Sequence, residues 1–473
     1  MDNDEIFISI ASYRDLQLVP TVEDLIAKAD EPLLLRFGIC WQHGNETSAL
    51  PFAGDPRFQI LDVDWRESRG ACWARAEIMK LWRGEQWFFQ VDSHCRFASG
   101  WDTKLIVMAG RTGSPKPIIS TYANTFTPSE MPSDTREILS GSPQLMALET
   151  FTEDGIPTLK PLTIHDSLSR TEPMRARFLS AGFLFAPGSF VEEVPYDREL
   201  YFFGEEISLS LRAFTSGYDL FHPVEAVVWH DYVRSYATRH WDDHAPATLT
   251  ASGELISGQV QAWRELDCRS RNRVKYLLTG QDPPAEAFSA AGGALERFGL
   301  GTVRTRADFE NYAGLSFYLC KAQNYTRRAL EPPNPIASPD WPNHIYTWLV
   351  RVILERALLP PSAFHRLGFW MVAIKDENRN EIYRRDVTSL ELEAFTGAES
   401  QIILICEIQS GIIPASWAVW PFTRGKDGEK YSKAAYPIPT LPLSNMKTDG
   451  TAEPIHFAMR SVRRRDACAN RTD

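Results

Sequence analysis

Residues 86–94 read QWFFQVDSH, an aromatic and β-branched run that stops abruptly at Asp92-Ser93-His94. Apolar side chains at consecutive positions fit a strand covered on both faces of a sheet. Working outward, residues 69–82 form an Arg/Ala-rich helical segment closed by Arg83-Gly84, and residues 58–63 (FQILDV) and 33–41 (LLLRFGICW) are further apolar runs. Before them, residues 5–12 (EIFISIAS) lead through Tyr13-Arg14-Asp15 into a helical pattern over 19–29. The alternation of strands and helices predicts an α/β layer fold with a mostly parallel sheet.

Beyond His94, residues 125–175 are rich in Pro, Ser, Thr and acidic residues and read as long loops. Strand signals return at 178–186 and at 225–229, with a helix expected at 203–215 and an amphipathic one at 259–278. Residues 330–344 (LEPPNPIASPDWPNH) carry more proline than a helix or central strand tolerates and read as a linker. After it, 367–374, 402–408 and 415–422 are strand-like, with a turn at Lys375-Asp376-Glu377-Asn378. The expected organisation is a first domain over 1–329 with a helical C-terminal extension, a Pro-rich linker over 330–343, a β-rich accessory domain over 344–442, and a poorly ordered tail over 443–473.

The chain has 473 residues, 44% hydrophobic, enough for two cores, and a formal net charge of −11. That charge argues against a nucleic-acid partner, since phosphate recognition needs a basic stripe. The seven cysteines show no close C-x-x-C pair and read as reduced thiols. The first residues are acidic where a secretory signal would be basic, and no stretch offers about 20 apolar residues for a membrane span, so a soluble, cytoplasmic protein is expected.

Ligands of open α/β sheets bind outside the carboxyl ends of the strands. Asp92 and His94 lie there, two residues apart, offering a hard oxygen and an imidazole to one divalent cation; a hydrogen-bonded strand-end turn is the competing reading. A second such triplet, Asp242-Asp243-His244, follows no apolar run. His230, ending the run Val227-Val228-Trp229, is the candidate third ligand, with an ordinary hydrogen-bonded ring as its alternative. Arg69, Gly70 and Arg75 suit a nucleotide diphosphate, or else form a solvated helix face. Glu205 and Glu206, after Gly204, open a helix where carboxylates also complement the helix dipole.

Taken in order, residues 6–15, Arg69-Gly70-Ala71, Ala74-Arg75, Asp92-Ser93-His94 and Gly100-Trp101-Asp102 resemble the GlcNAc-transferase family typified by the enzyme that modifies hydroxyproline on Skp1. Ser180-Ala181-Gly182-Phe183, residues 203–209 and Trp229-His230 are similar to its remaining blocks, and more distantly to polypeptide GalNAc-transferases. The resemblance covers about residues 5–250 and implies a GT-A fold, UDP-GlcNAc as donor, Mn²⁺ (or Mg²⁺), and a retaining transfer to a protein or glycan hydroxyl. It implies Asp92, His94 and His230 as metal ligands, and Ser9, Ala11, Tyr13 and Arg14 beside the nucleoside. Arg69 and Arg75 would face the nucleotide, and Glu205 and Glu206 the transferred sugar. The residues alone leave open a metal-dependent hydrolase or nucleotidyltransferase, and a non-catalytic carbohydrate-binding protein.

Overall fold

The computed structural model describes residues 4–44, 49–128, 141–164, 167–234, 237–244, 263–281, 295–355, 367–388, 391–392, 401–424, 431–433 and 438–442. The tail expected over 443–473 lies outside the described residues. The chain divides into two compact units, Met1–Tyr312 and Ala313–Asp473.

The first unit opens with β1 (Ile6–Tyr13), α1 (Leu18–Lys28), β2 (Leu35–His43), β3 (Phe58–Asp64), α2 (Ala71–Met79) and β4 (Trp87–Asp92). It continues through β5 (Cys95–Phe97), α3 (Trp101–Arg111), β6 (Pro117–Ser120), β7 (Asn124–Thr125), β8 (Gln144–Phe151), β9 (Pro157–Thr163) and β10 (Met174–Arg175). After these come β11 (Phe183–Pro187), α4 (Phe190–Glu193), α5 (Glu205–Thr215), β12 (Asp219–His222), β13 (Val228–His230), α6 (His240–Asp243), α7 (Trp263–Thr279) and α8 (Arg306–Ala313).

Eight strands form the central sheet in the order β10-β12-β6-β11-β4-β1-β2-β3. The run β3, β2, β1, β4 is parallel, and β11 inserts antiparallel between β4 and β6. This is the α/β class expected from the alternation of apolar runs. The consecutive apolar positions of β1 are explained by burial on both faces, because side chains alternate along a strand. Ile6, Ile8 and Ile10 join one cluster with Leu18, Val22 and Leu25 of α1 and Trp101, Leu105 and Met108 of α3. On the opposite face Phe7 packs so closely that a Cβ added at Gly38 would lie 2.5 Å from it and 2.8 Å from Ile78 of α2. Each fully buried aliphatic side chain contributes roughly 1.5–3 kcal/mol of transfer free energy, so both helix layers are held by their inward faces.

Residues 144–163 are not loop. β8 and β9 pair antiparallel as a hairpin, with Leu145, Met146, Leu148, Ile156 and Leu162 buried. Thr152 closes the turn by accepting a backbone hydrogen bond from Gly155 and donating its own to Ile156. The pattern was masked by the prolines and threonines of β9, yet Asp154-Gly155 between two partly apolar runs is a hairpin signal.

In the second unit, β14 (Leu315–Ser316) pairs with β15 (Lys321–Ala322), and α9 (Asn324–Arg327) follows. The strands β16 (Tyr346–Glu355), β17 (Leu367–Lys375), β18 (Glu381–Thr388), β19 (Gln401–Ser410), β20 (Ser416–Arg424), β21 (Tyr431–Lys433) and β22 (Ile438–Pro442) complete it. β16 and β19 form one antiparallel layer, and β18-β17-β20-β21 with β22 the other. Val350, Val352, Leu404 and Ile408 from the first share a core with Trp370, Val372, Trp417 and Val419 from the second. The β-rich expectation for this region therefore holds, with β16 as a strand the sequence reading did not name.

Gly70 sets where α2 begins. Its φ is +99°, and a Cβ there would lie 2.8 Å from the Tyr201 ring and 3.1 Å from the Tyr201 carbonyl oxygen. Gly70→Ala is expected to destabilise the first unit by roughly 1–3 kcal/mol through backbone strain and overpacking. The measurement is the urea midpoint of unfolding, which should fall without a change in slope.

Candidate functional site

The carboxyl ends of β1 and β4 lie side by side, with Ala11 in register with Asp92. Immediately beyond, β5 pairs antiparallel with β13, which puts His230 opposite Cys95, and the Asp231 amide donates to the His94 carbonyl at 3.1 Å. Two strand pairings thus deliver Asp92, His94 and His230 to one place. One ligand atom from each lies within 4.8 Å of the others. The His230 Nε2–H donates to Asp92 Oδ2 at 3.0 Å, and the His94 and His230 rings meet edge to face at 4.5 Å. Gly182 makes room for the carboxylate, since a Cβ there would lie 2.9 Å from Asp92 Oδ2.

One carboxylate and two imidazoles converging at this spacing are a donor set that suits Mn²⁺ or Zn²⁺-like ions better than Mg²⁺, which favours oxygen ligands alone. The surrounding charges prepare each donor. Burial raises the Asp92 carboxyl, but the His230 hydrogen bond and the Arg75 charge outweigh it and hold the group well below the usual carboxylate range. Burial depresses His94 against the opposing pull of Asp15, favouring the neutral ring that a metal requires.

Asp15 is the functional residue that the sequence reading passed over. Its buried carboxylate accepts from His94 Nδ1 at 2.7 Å, from the Ser93 hydroxyl at 2.7 Å and from Arg234 at 3.1 Å. With Nδ1 so engaged, Nε2 is the nitrogen of His94 left for a ligand. The available signal was position: Asp15 follows the end of an apolar strand as closely as Ser93 and His94 follow theirs.

Arg75, 6% exposed at its side chain, bridges two carboxylates, donating to Asp92 Oδ1 and Glu205 Oε1, both at 2.6 Å. Burial opposes its charge, yet Glu205, Tyr196 and Asp92 overcome that and keep the guanidinium firmly protonated. Glu206 has a different environment. It accepts from the Tyr122 hydroxyl at 2.5 Å and the Ala181 amide at 3.1 Å, and burial pushes its carboxyl up to about 7. Neighbouring glutamates in one helical turn are therefore separated chemically, one committed to an ion pair and one near its titration point at neutrality.

Two cavities open around Arg75, Asp92 and His230. The first, about 250 Å³, is lined by Ala11, Tyr13, Gln42, Gly70 and His94 among others, and the second, about 370 Å³, by Tyr122, Ser180, Glu205 and Glu206 among others. Of the candidate residues, Ser9, Arg14 and Arg69 line neither. Ser9 is wholly buried in β1 between Gly38 and Gln90, and Arg69 is exposed. Arg14 turns to Asp243, donating to Oδ1 at 3.1 Å and Oδ2 at 2.9 Å, while the Tyr13 hydroxyl donates to the same Oδ2 at 2.8 Å. The second D-x-H triplet consequently supplies a latch for the β1 end, with Asp243 lying 230 residues from Tyr13. Gln42, Ser68, Tyr201 and Tyr232 also line the first cavity and were not singled out from the sequence.

The sequence model of the family described as Glycosyltransferase (GlcNAc) matches residues 5–55 and 51–319. Among curated proteins, none matches the chain. Among solved structures, residues 1–349 of S. aureus TarS align with 48% of this chain and 60% of their own, at 11% identity and a TM-score of 0.32. The same TarS segment in complex with UDP-GlcNAc aligns with 57% of this chain and 66% of its own, at 11% identity and a TM-score of 0.33. GalNAc-T7, crystallised with UDP, GalNAc and Mn²⁺, aligns over 91% of this chain and 71% of its own, at 14% identity and a TM-score of 0.41. The chain thus spans less than two thirds of the TarS segment. With the family match extending over well more than half of its residues, this chain belongs to the GlcNAc glycosyltransferase family.

Proposed function

We propose that the chain is a metal-dependent, retaining glycosyltransferase of GT-A type, moving GlcNAc from UDP-GlcNAc to a hydroxyl acceptor. The observation that carries this reading is the meeting of Asp92, His94 and His230, with Asp92 and His230 on the wall shared by two cavities. The first cavity would take the nucleotide and the second the transferred sugar and acceptor. The same reading keeps the likeness to the Skp1-modifying type at the level of the donor site, and the free thiols at Cys40, Cys72, Cys95 and Cys268 support a cytoplasmic setting.

Asp92, His94 and His230 would hold Mn²⁺ or Mg²⁺, which when bound supplies positive charge to the departing diphosphate. Asp15 fixes the His94 ring and its tautomer. Arg75, fastened at both ends, contributes a preorganised positive charge that needs no rearrangement as charge develops on the leaving group. Glu206, whose carboxyl burial pushes up to about 7, would hold a sugar hydroxyl together with Tyr122.

Neither glutamate is suited to attack. Glu205 is spent on Arg75, and both Glu206 oxygens are taken, Oε2 by the Tyr122 hydroxyl and Oε1 by the Ala181 amide. This supports direct attack by the acceptor oxygen from the leaving-group side, with retention, as the bond from the sugar to UDP breaks and the acceptor proton passes to a phosphate oxygen of the departing UDP, over a covalent glycosyl-enzyme. Trapping such an adduct at either glutamate by mass spectrometry would overturn the direct route.

The decisive experiment follows UDP release from UDP-GlcNAc with and without Mn²⁺ and after EDTA. Wild-type protein should release UDP only with the ion, and Asp92→Ala or His230→Ala should lower the rate by roughly 100-fold or more. Metal-independent release at the wild-type rate would sink the assignment. Asp15→Asn should weaken Mn²⁺ binding by about 10–100-fold in calorimetric titration, because the support of His94 is lost while all three ligands remain.

Glu206 also makes stability depend on pH. Its folded value, about 7, lies above the ordinary carboxylate value of 4.5, so the folded chain binds the extra proton between them. Stability from this group is full below about 4.5 and declines as pH rises through about 7. Glu206→Gln should remove that decline: the melting temperature of wild type relative to the variant should fall between pH 5 and pH 8.

A further inference from the structure

We propose that the acceptor is a neutral saccharide, and that the hairpin of β8 and β9 is the element that selects it by roofing the second cavity; this rests on the transferase reading above. The hairpin contributes Pro157, Thr158 and Leu159 to the cavity wall, facing Glu206 and Tyr122. Its tip is tied down from the opposite side. Asp154 pairs with Arg271 of α7 at 3.2 Å, and the same guanidinium lies 4.3 Å above the Phe203 ring, itself a lining residue. The hairpin is therefore a held part of the cavity wall, fastened through Arg271 to α7 and to the Phe203 ring.

The chemistry of the walls narrows what the acceptor can be. Among the described residues, the charged side chains lining the cavity are Arg75, Asp92, Glu205 and Glu206, and the guanidinium among them is already bound to Asp92 and Glu205. The ion that Asp92 and His230 would help to hold is given over to the donor's diphosphate, so among the described lining residues no cation is left for an acceptor phosphate or acidic chain, and the carboxylates of Glu205 and Glu206 do not favour one. What the walls offer is hydrogen bonding from Tyr122, Thr158, Ser180 and Glu206, beside the aromatic faces of Phe202 and Tyr232.

Phe202 and Tyr232 are 53% and 47% exposed, unusual for rings at a cavity rim. Tyr232 is pinned with its hydroxyl donated to the Ala123 carbonyl at 2.9 Å, and its ring lies tilted by 50° beside His230, 4.1 Å away. Phe202 leans on Trp241 with ring centroids 6.1 Å apart. A pyranose matches this pattern: one apolar C–H face for the rings, and hydroxyls around its edge for the polar wall.

The test uses the full chain with Mn²⁺ and UDP-GlcNAc. Two acceptor panels are compared: p-nitrophenyl glycosides of neutral hexoses, and serine- and threonine-containing peptides without sugar. The inference expects GlcNAc transfer to at least one glycoside and to none of the peptides. For the best glycoside, Phe202→Ala and Leu159→Ala should each raise the acceptor KM about tenfold, while Phe202→Tyr, which keeps the ring, stays within twofold of wild type. Phe202 is half in solvent, so its truncation leaves the core intact, and a thermal melt of each variant checks this. Transfer to peptides alone, or an acceptor KM unmoved by both alanine variants, overturns the inference and leaves the transferase reading standing. Failure of the wild type to bind UDP or release it with Mn²⁺ overturns that reading itself, and this inference with it.

Discussion

Everything at the site hangs on the demands made of one carboxylate. Asp92 accepts from Arg75 on one oxygen and from His230 on the other, and does so at the end of a buried parallel strand where its backbone cannot move. A buried charge is tolerable only when its partners are in place. The sheet fixes the first partner through α2, and the pairing of β13 with β5 fixes the second. Without that second pairing, made between segments far apart in the chain, His230 would have no reason to lie near Asp92.

From that constraint the electrostatics follow. Arg75 is shared between Asp92 and Glu205, so the positive charge that faces the cavities is rigid before any substrate arrives. Glu206, one residue further along the same helix, is turned toward Tyr122, and burial pushes its carboxyl up to about 7. The helix geometry separates them: consecutive positions differ by about 100° around the axis, so neighbours face different surroundings.

The part of the fold legible in the sequence was the part buried on both sides. β1, β2 and β4 must be apolar at consecutive positions, and that continuity, ending in polar residues, marked both the strands and the Asp92-Ser93-His94 tip. The hairpin over 144–163 was not legible, because β9 mixes proline and threonine with its buried residues and only its Asp154-Gly155 turn carried a signal. Asp15 escaped for another reason. Its role exists only through contacts to residues 78, 79 and 219 positions away, and an isolated aspartate after a strand carries no spacing that announces them. Arg14 shows the reverse case: its position beside the β1 end was readable, but its engagement by Asp243 was not.

The wall common to the two cavities carries a thermodynamic obligation. Arg75, Asp92 and His230 border both spaces, so a molecule in either one alters the field and the hydrogen-bond partners met by a molecule in the other. Such coupling is reciprocal. Whatever factor an occupant of one cavity applies to the affinity of the other, that second occupant must return undiminished, and such coupling would run through five shared side chains, Phe202 and Tyr232 being the other two.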